Sequence, residues 1–465
     1  MLDTILDFLN NALIAILIPM GLLFTVVSRG LQFRYFKRMF LVIRQAFHHE
    51  GNHLSSFQAL TLSVAGRVGA GNIAGVAVAI TLGGPGAVFW FWIVGLVGMA
   101  TSFFECSLAQ LFKNAEPDGT YRGGPAYYIQ RGLGQKWLAA IFSILLLVTF
   151  GFGFNAVQSY TVATSLHDAF GIPTLVTGIC LAGALGLVIF GGIKRIAELA
   201  EYVVPVMALG YFIVALVVIA INITEIPAVL ALIVKSAFGL DAAFGGGMGA
   251  ALLWGIKRGL FSNEAGLGSA PNVAAVAHVP HPANQGVVQA FSVFVDTIVL
   301  CTCTAAIILL SDVYQPGGEI GGVVLTQNAL AEHVGQWGGG FVTIALLLFS
   351  FTSIMYNYYL GENSLNFFSE ENKTLFTVFR VMTLVLVLWG TMQNLSSVFS
   401  FADFTMAMLA IVNLTALMLL FKVGLRVIKD FDEQLQRGEK WPKFDPKKFS
   451  DLNIDHDAWR DNGAK

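Results

Sequence analysis

Apolar runs of about twenty residues, the length a helix needs to cross the hydrocarbon of a bilayer, recur from one end of this chain to the other. They fall near residues 5–27, 57–82, 87–112, 137–165, 173–190, 200–221, 244–277, 287–310, 341–360, 375–392 and 398–421. Together they occupy most of the 465 residues and leave no room for a separate soluble domain. Charged residues make up 12% of the chain, against roughly 25% in a soluble domain, and mean hydropathy is +0.71. The expectation is an all-α polytopic membrane protein of about eleven transmembrane helices.

The first run is too long for a signal-peptide core and ends in a basic segment with Arg29, Arg34, Lys37, Arg38 and Arg44, so it is expected to remain as a span. If the connections alternate sides, nearly all Lys and Arg fall on one side, in residues 29–53, 113–136, 194–195, 373 and the tail from 422. The opposite connections hold the single basic residue Lys235. Positive loops stay cytoplasmic, which puts the N-terminus outside, the C-terminus in the cytoplasm, and the chain in the inner (plasma) membrane. Net charge is -2 with no long run of like charge, so no nucleic-acid partner is expected. Cys106, Cys180, Cys301 and Cys303 lie inside apolar runs and are expected as buried, unpaired small hydrophobes. His48, His49 and His53 read as surface residues. The tail, with Trp441, Pro442, Asp445, Lys447 and Lys448, is too short for much of a core and is expected to be solvated or to lie on the membrane surface.

Two of the runs are interrupted. Gly66-Arg67-Val68-Gly69-Ala70-Gly71-Asn72 breaks the second, and Gly255 to Gly259 followed by Phe261-Ser262-Asn263-Glu264-Ala265-Gly266-Leu267-Gly268 breaks the seventh. Glycine eases unwinding, and freed backbone at membrane depth survives only inside protein or against a water-filled cavity. Tight packing through small residues is the competing explanation for either segment alone. Asn72 precedes Glu105 by 33 residues, and Asn263 precedes Asp296 by the same 33, which points to a duplicated unit. An odd number of spans separates the breaks, so the copies would run in opposite directions, as in transporters that place substrate and coupling ion at the repeat interface. The expected division is residues 1–54 as an N-terminal span and basic segment, 55–222 and 241–421 as two five-helix repeats, and 422–465 as the tail.

Half-helix ends offer N–H groups to a carboxylate, and unwound carbonyls suit an ammonium group or Na⁺. Candidate substrate contacts are Gly69, Ala70, Gly71 and Asn72 in the first break and Phe261, Ser262, Asn263 and Gly266 in the second, with Phe261 limiting room. Gln158, in a polar glycine-rich patch with Gly151, Gly153 and Asn155, is a candidate for the substrate carboxylate; interhelical bonding is its alternative. Ser350, Thr352 and Ser353, beside the freed carbonyls of the first break, suggest an oxygen-ligand Na⁺ site, although such hydroxyls often bond their own helix. Glu105, Glu264, Asp296, Asp403, Arg67, Lys257 and Arg258 are costly in a bilayer and need partners, and proton coupling through one of the acids stays open.

At these residues the sequence resembles the alanine or glycine:cation symporter family, sodium-coupled amino acid carriers with a LeuT-like fold. Val68-Gly-Ala-Gly-Asn-Ile-Ala-Gly-Val-Ala77, with Gly83-Gly-Pro-Gly86 and Tyr121-Arg-Gly-Gly-Pro125, resembles the signature of that family's first repeat. Asn263-Glu-Ala-Gly-Leu-Gly-Ser-Ala-Pro271, with Val295-Asp-Thr297, resembles the signature of its other repeat. The resemblance spans residues 4–421 and implies a 5+5 inverted repeat with one extra N-terminal span, importing a small neutral amino acid such as alanine or glycine with Na⁺ as coupling ion. It implies that Gln158 is the substrate-binding amide, that Thr352 and Ser353 are the ion-binding hydroxyl pair, with Val68 supplying backbone, and that no oligomer is required. Many relatives carry threonine where Ala70 stands, and some carry glutamine as cargo. A channel would show a continuous polar stripe without opposed breaks. A membrane enzyme would show a paired-histidine metal motif, nucleophile elbow or phosphate loop, and none is present in the sequence.

Overall fold

Apolar side chains spaced to cover a whole helix surface leave backbone groups no partner but their own helix in lipid, and the long runs fold accordingly. The computed structural model describes residues 2–45, 54–116, 119–240, 247–316, 318, 321–369 and 372–459. In chain order the helices of five or more residues begin with α1 (Leu2–Val27), α2 (Phe36–Gln45), α3 (Ser56–Arg67), α4 (Gly71–Gly83) and α5 (Ala87–Leu111). A two-strand antiparallel hairpin, β1 (Asn114–Ala115) and β2 (Tyr121–Arg122), leads into α6 (Pro125–Gly132) and α7 (Lys136–Phe170). Then come α8 (Thr174–Ile189), α9 (Gly192–Ile221), α10 (Ile226–Ala237), α11 (Gly247–Asn263) and α12 (Ala270–Ala274). The chain finishes with α13 (Pro282–Leu309), α14 (Gly322–Val334), α15 (Trp337–Phe368), α16 (Lys373–Gly390) and α17 (Leu395–Gln436). His48, His49 and His53 lie outside the described residues.

Eight of these helices are long and apolar enough to cross a membrane, and α3 with α4, bent by 49°, makes a ninth as a broken span. The expected count of about eleven is therefore not reached by length and composition among the described residues. The shortfall lies at α8, whose sixteen residues span about 24 Å at 1.5 Å each, and at the interrupted α11 and α12. The connections at 223–241 and 311–337 contain α10 and α14.

Burial sorts the helices into shells. In α9 only 28% of the apolar window is buried, and Tyr202, Val206, Leu209 and Ile213 form an exposed stripe at helical spacing, which suits lipid. Cys180 is likewise exposed on α8, contrary to the burial expected for all four cysteines; Cys106, Cys301 and Cys303 are buried. By contrast α5 is 72% buried and packs against both broken helices and α13. The inner helices thus hold the polar residues that lipid would reject.

The tail departs from expectation too. At 42 residues, α17 is about 63 Å long, twice the hydrocarbon thickness, so it projects far beyond the bilayer on the basic face. The segment after it folds back, and Phe444, Phe449, Ile454, Ala458 and Trp459 are all buried. Burial of three aromatic rings, at roughly 1.5–3 kcal/mol each, favours this docking, with the bundle, rather than the segment itself, as the core.

Candidate functional site

The break between α3 and α4 begins at Val68, whose extended backbone (φ -81, ψ 93) stops the helix. In an uninterrupted helix the N–H groups of Gly69, Ala70 and Asn72 would satisfy the carbonyls of Ala65, Gly66 and Val68. Here Gly69 N–H donates to Asn72 Oδ1 at 3.0 Å, Ala70 N–H to Gln158 Oε1 at 2.9 Å, and Asn72 N–H to Gly69 O at 3.2 Å. The three carbonyls left behind all face one hydroxyl. Ser353 Oγ lies 2.9 Å from Ala65 O, 3.3 Å from Gly66 O and 3.3 Å from Val68 O, and also 2.9 Å from Phe349 O of its own helix. A hydroxyl has one hydrogen to donate, so this cage has more oxygen acceptors than donors, a donor set that fits Na⁺.

The second break opens at Glu264, a non-glycine residue in the left-handed region (φ 55), and continues through Gly266 (φ 91) and Gly268 (φ 78) before α12 resumes. A glutamate held there is strained backbone that the surroundings must impose. They do so through Ser269 Oγ, which donates to Glu264 Oε2 at 2.6 Å, and Tyr356 OH, which donates to the same oxygen at 3.4 Å. The two breaks touch: a Cβ added at Gly71 would meet the Phe261 ring at 3.1 Å and Ser262 Cα at 3.3 Å.

Each half's buried acid reaches across to the other half's break. Asp296, on α13, accepts from Asn72 Nδ2 at 2.6 Å in the first break, and from Ser262 Oγ at 3.0 Å and Thr297 Oγ1 at 2.6 Å. Glu105, on α5, accepts from Gly266 N–H at 3.2 Å in the second break and from Asn413 Nδ2 at 3.1 Å. Asn413 also donates to Gly266 O at 2.9 Å and accepts from Tyr128 OH. Arg67 lies between the breaks and donates to Ser102 Oγ at 2.9 Å and Gln289 O at 3.2 Å. The matched 33-residue spacings thus mark a crossed pair of contacts.

On the side of α11 away from α12, Phe261 stacks obliquely with Phe154 at 4.7 Å and Phe399 at 5.9 Å between ring centroids. The Arg258 guanidinium lies over Phe399 at 5.0 Å and Phe261 at 5.6 Å and pairs with Asp403 at 2.5 Å, while Lys257 pairs with the same carboxylate at 2.8 Å. The ionisable residues therefore find protein partners, as their cost in a bilayer requires.

Of the candidates, Val68, Gly69, Ala70, Gly71, Asn72, Gln158, Phe261, Ser262 and Ser353 converge on one region where the breaks meet. Three do not. Thr352 Oγ1 donates to Phe349 O of its own helix at 2.9 Å, Asn263 Oδ1 accepts from Ala265 N–H at 2.9 Å within its own break, and Gly266 is engaged by Glu105 and Asn413. Sequence reasoning passed over the carbonyls of Ala65 and Gly66, although their place four residues before the diverted N–H groups signals them. It also passed over Asn413, a lone amide in an apolar run, and Phe154, Phe399, Tyr128 and Tyr356, which look like ordinary apolar or interfacial residues in a sequence. Among the described residues no cluster of three or more His, Cys, Asp or Glu could hold a metal ion.

A profile described as the sodium:alanine symporter family matches residues 1–446. A probable sodium/glutamine symporter of Bacillus subtilis, GlnT, is 47% identical over 97% of this chain and 92% of its own length. The amino-acid carrier protein AlsT of the same organism is 46% identical over 98% of this chain and 96% of its own. Among solved structures, MhsT in complex with L-phenylalanine superposes with a TM-score of 0.57 at 12% identity, covering 82% of this chain and 99% of that one. At that identity the likeness speaks for the fold alone, a LeuT-like transporter fold.

Proposed function

Because the chain belongs to the sodium:alanine symporter family, a family of membrane transporters and not of enzymes, we propose that it imports a small neutral amino acid, alanine or glycine, together with Na⁺ by alternating access. Sodium-coupled amino acid transport is the family's activity; the cargo, the ion site and the direction are our reading. The observation that carries it is the diversion of three backbone N–H groups at the first break, which leaves three carbonyls around Ser353.

In this reading Na⁺ is held by Ser353 Oγ and the carbonyls of Ala65, Gly66 and Val68, with Thr352 turning its hydroxyl from Phe349 O when the ion binds. The substrate carboxylate takes the N–H groups of Gly69, Ala70 and Gly71 and the Gln158 amide, whose Nε2 makes no hydrogen bond among the described residues. Phe261, backed by Phe154 and Phe399, walls off larger side chains, and Asn72 and Ser262 supply polar contacts beside it, while Asn263 shapes the second break through its bond from Ala265 N–H. Gly266 holds the second break open from the other side. The N-terminus lies outside and the tail in the cytoplasm, with α8 and the interrupted α11 and α12 completing eleven spans as two inverted repeats, 55–222 and 241–421, after one peripheral helix. Ala70 removes a hydroxyl that many relatives place beside the carboxylate, and glutamine, the cargo named for GlnT, is the competing substrate.

The deciding experiment is uptake into proteoliposomes. Labelled alanine is expected to accumulate under an inward Na⁺ gradient; accumulation of glutamine instead would change the cargo, and no uptake of any amino acid under Na⁺ or H⁺ gradients would overturn the reading. Gln158→Ala removes a hydrogen bond to a charged group, worth about 1.5–3 kcal/mol, and is expected to raise the alanine KM by roughly 10- to 100-fold. An unchanged KM would remove the carboxylate contact. Ser353→Ala is expected to raise the Na⁺ concentration for half-maximal uptake by about tenfold, for the loss of one ligand of order 1.4 kcal/mol, and to leave the fold unchanged by thermal unfolding. Na⁺ dependence equal to that of the parent would place the ion elsewhere.

A further inference from the structure

Residues 440–459, after α17, make contacts with four separate pieces of the bundle. Phe444 N–H donates to Pro280 O at 2.8 Å, and its ring packs on His281, Phe449 and Trp459 at centroid distances of 5.9, 5.1 and 4.6 Å. Asp455 Oδ2 accepts from Ala115 N–H of β1 at 2.9 Å. The Trp459 ring lies 4.5 Å from the Lys113 ammonium at the end of α5, and Arg38 of α2 donates to Lys440 O at 2.8 Å.

Residues 275–281 are the connection between α12 and α13. On its bundle side the same connection is pinned to the start of the first broken helix, where His278 N–H donates to Leu54 O at 3.2 Å, and to α5, where Gln110 Nε2 and Lys113 Nζ donate to Ala277 O at 2.9 and 3.3 Å. His281 is wholly buried and carries the contact into α17: its Nδ1 accepts from Ala283 N–H at 3.1 Å, which leaves Nε2–H to donate to Asp430 at 3.1 Å. Burial holds this imidazole below its ordinary range, which matches the neutral tautomer that the two bonds require.

We propose that residues 440–459 are a clamp that holds α12 and its connection to α13 against the start of α3, so that opening toward the tail side requires the clamp to loosen. A transporter that alternates must separate the same-side halves of its two broken helices. These are α3 and α12, and the tail is bonded to the connection that follows α12 and to the end of α5 on which it rests. The clamp favours the state closed on its own side and thereby keeps the site available to the opposite one. It rests on the transporter fold and not on which amino acid is carried, so the exchange reading of its test does not share the failure of the cargo assignment.

The test is hydrogen–deuterium exchange of the full-length protein in nanodiscs, with Phe444→Ala as the main variant and Asp455→Asn as a milder one that weakens the hairpin anchor by removing its charge and one of the two oxygens that accept from Ala115 and Asp457 N–H. Faster exchange is expected in residues 54–67 and 270–281 of both variants, by roughly tenfold, while α16, which packs on α7 and α8, keeps the parent's rates. Loosening the clamp draws population away from the state open to the opposite side, and a smaller competent population lowers apparent affinity there, so the KM for uptake is expected to rise about threefold. Exchange that accelerates in the tail alone, with 270–281 and KM unchanged, would overturn the proposal. If Phe444→Ala loosens the entire bundle, Asp455→Asn decides by the same two readings.

Discussion

Gly69→Ala is expected to yield a folded protein that has lost transport by at least roughly 100-fold. A Cβ at this position would lie 2.5 Å from Ser353 Oγ and 2.6 Å from Gln158 Nε2. Both are the far ends of side chains that can rotate, so the clash is relieved by movement and the fold survives. The same movement takes Ser353 out of its carbonyl cage and Gln158 off Ala70 N–H, and two such polar contacts, at about 1.5–3 kcal/mol each when they serve a charged partner, account for the expected loss. The measurement is proteoliposome uptake with thermal unfolding in parallel. Transport within threefold of the parent would show that neither side chain needs its present place.

Asp403→Ala is expected to reduce the folded yield sharply and to lower thermal stability by about 3–5 kcal/mol, the cost of stripping a buried ion of its partner. One carboxylate serves Arg258 at 2.5 Å and Lys257 at 2.8 Å, and all three side chains are at least largely withdrawn from solvent, with exposures of 2%, 12% and 5% for arginine, lysine and aspartate. Removing Asp403 leaves two cations, Arg258 over Phe261 and Phe399 and Lys257 over Trp254. Replacing all three by apolar residues of similar size is expected to recover much of the stability, because no charge is then left unpaired. A thermal midpoint for Asp403→Ala equal to that of the parent would mean that the cluster contributes nothing to the fold. Substrate access is a separate question: α11 and α17 meet here through this cluster and the Phe261–Phe399 ring contact, so the rescued triple variant should show whether charge or ring packing closes that side.

How much was legible in advance follows from the range over which each feature acts. The two interruptions were visible because glycine and polar residues within an apolar run conflict with the local demand that every backbone group be bonded inside its own helix. The sequence position of Gln158 and Ser353 marked them as polar in apolar surroundings, but nothing local distinguished Ser353 from Thr352. Only the path of α15 past the first break turns one hydroxyl onto Ala65, Gly66 and Val68 and leaves the other on Phe349. The 33-residue spacing announced a repeat without revealing its consequence, that Asp296 bonds Asn72 and Glu105 bonds Gly266 across the halves.

The tail illustrates the opposite failure. Its polar composition argued for a solvated or membrane-surface segment, because a short segment cannot bury enough apolar surface against itself; Phe444, Phe449 and Trp459 find their core in the bundle instead, and no local pattern announces a core supplied by distant residues. The apolar runs, their two breaks and the sorting of positive charge are properties of neighbouring residues and of the solvent they tolerate, so the amino-acid sequence by itself determined that this chain is a helical membrane protein with two interrupted helices. Which oxygens gather around Ser353, which acid braces which break and where the tail comes to rest depend on helices hundreds of residues apart meeting in space, and those the tertiary structure alone decided.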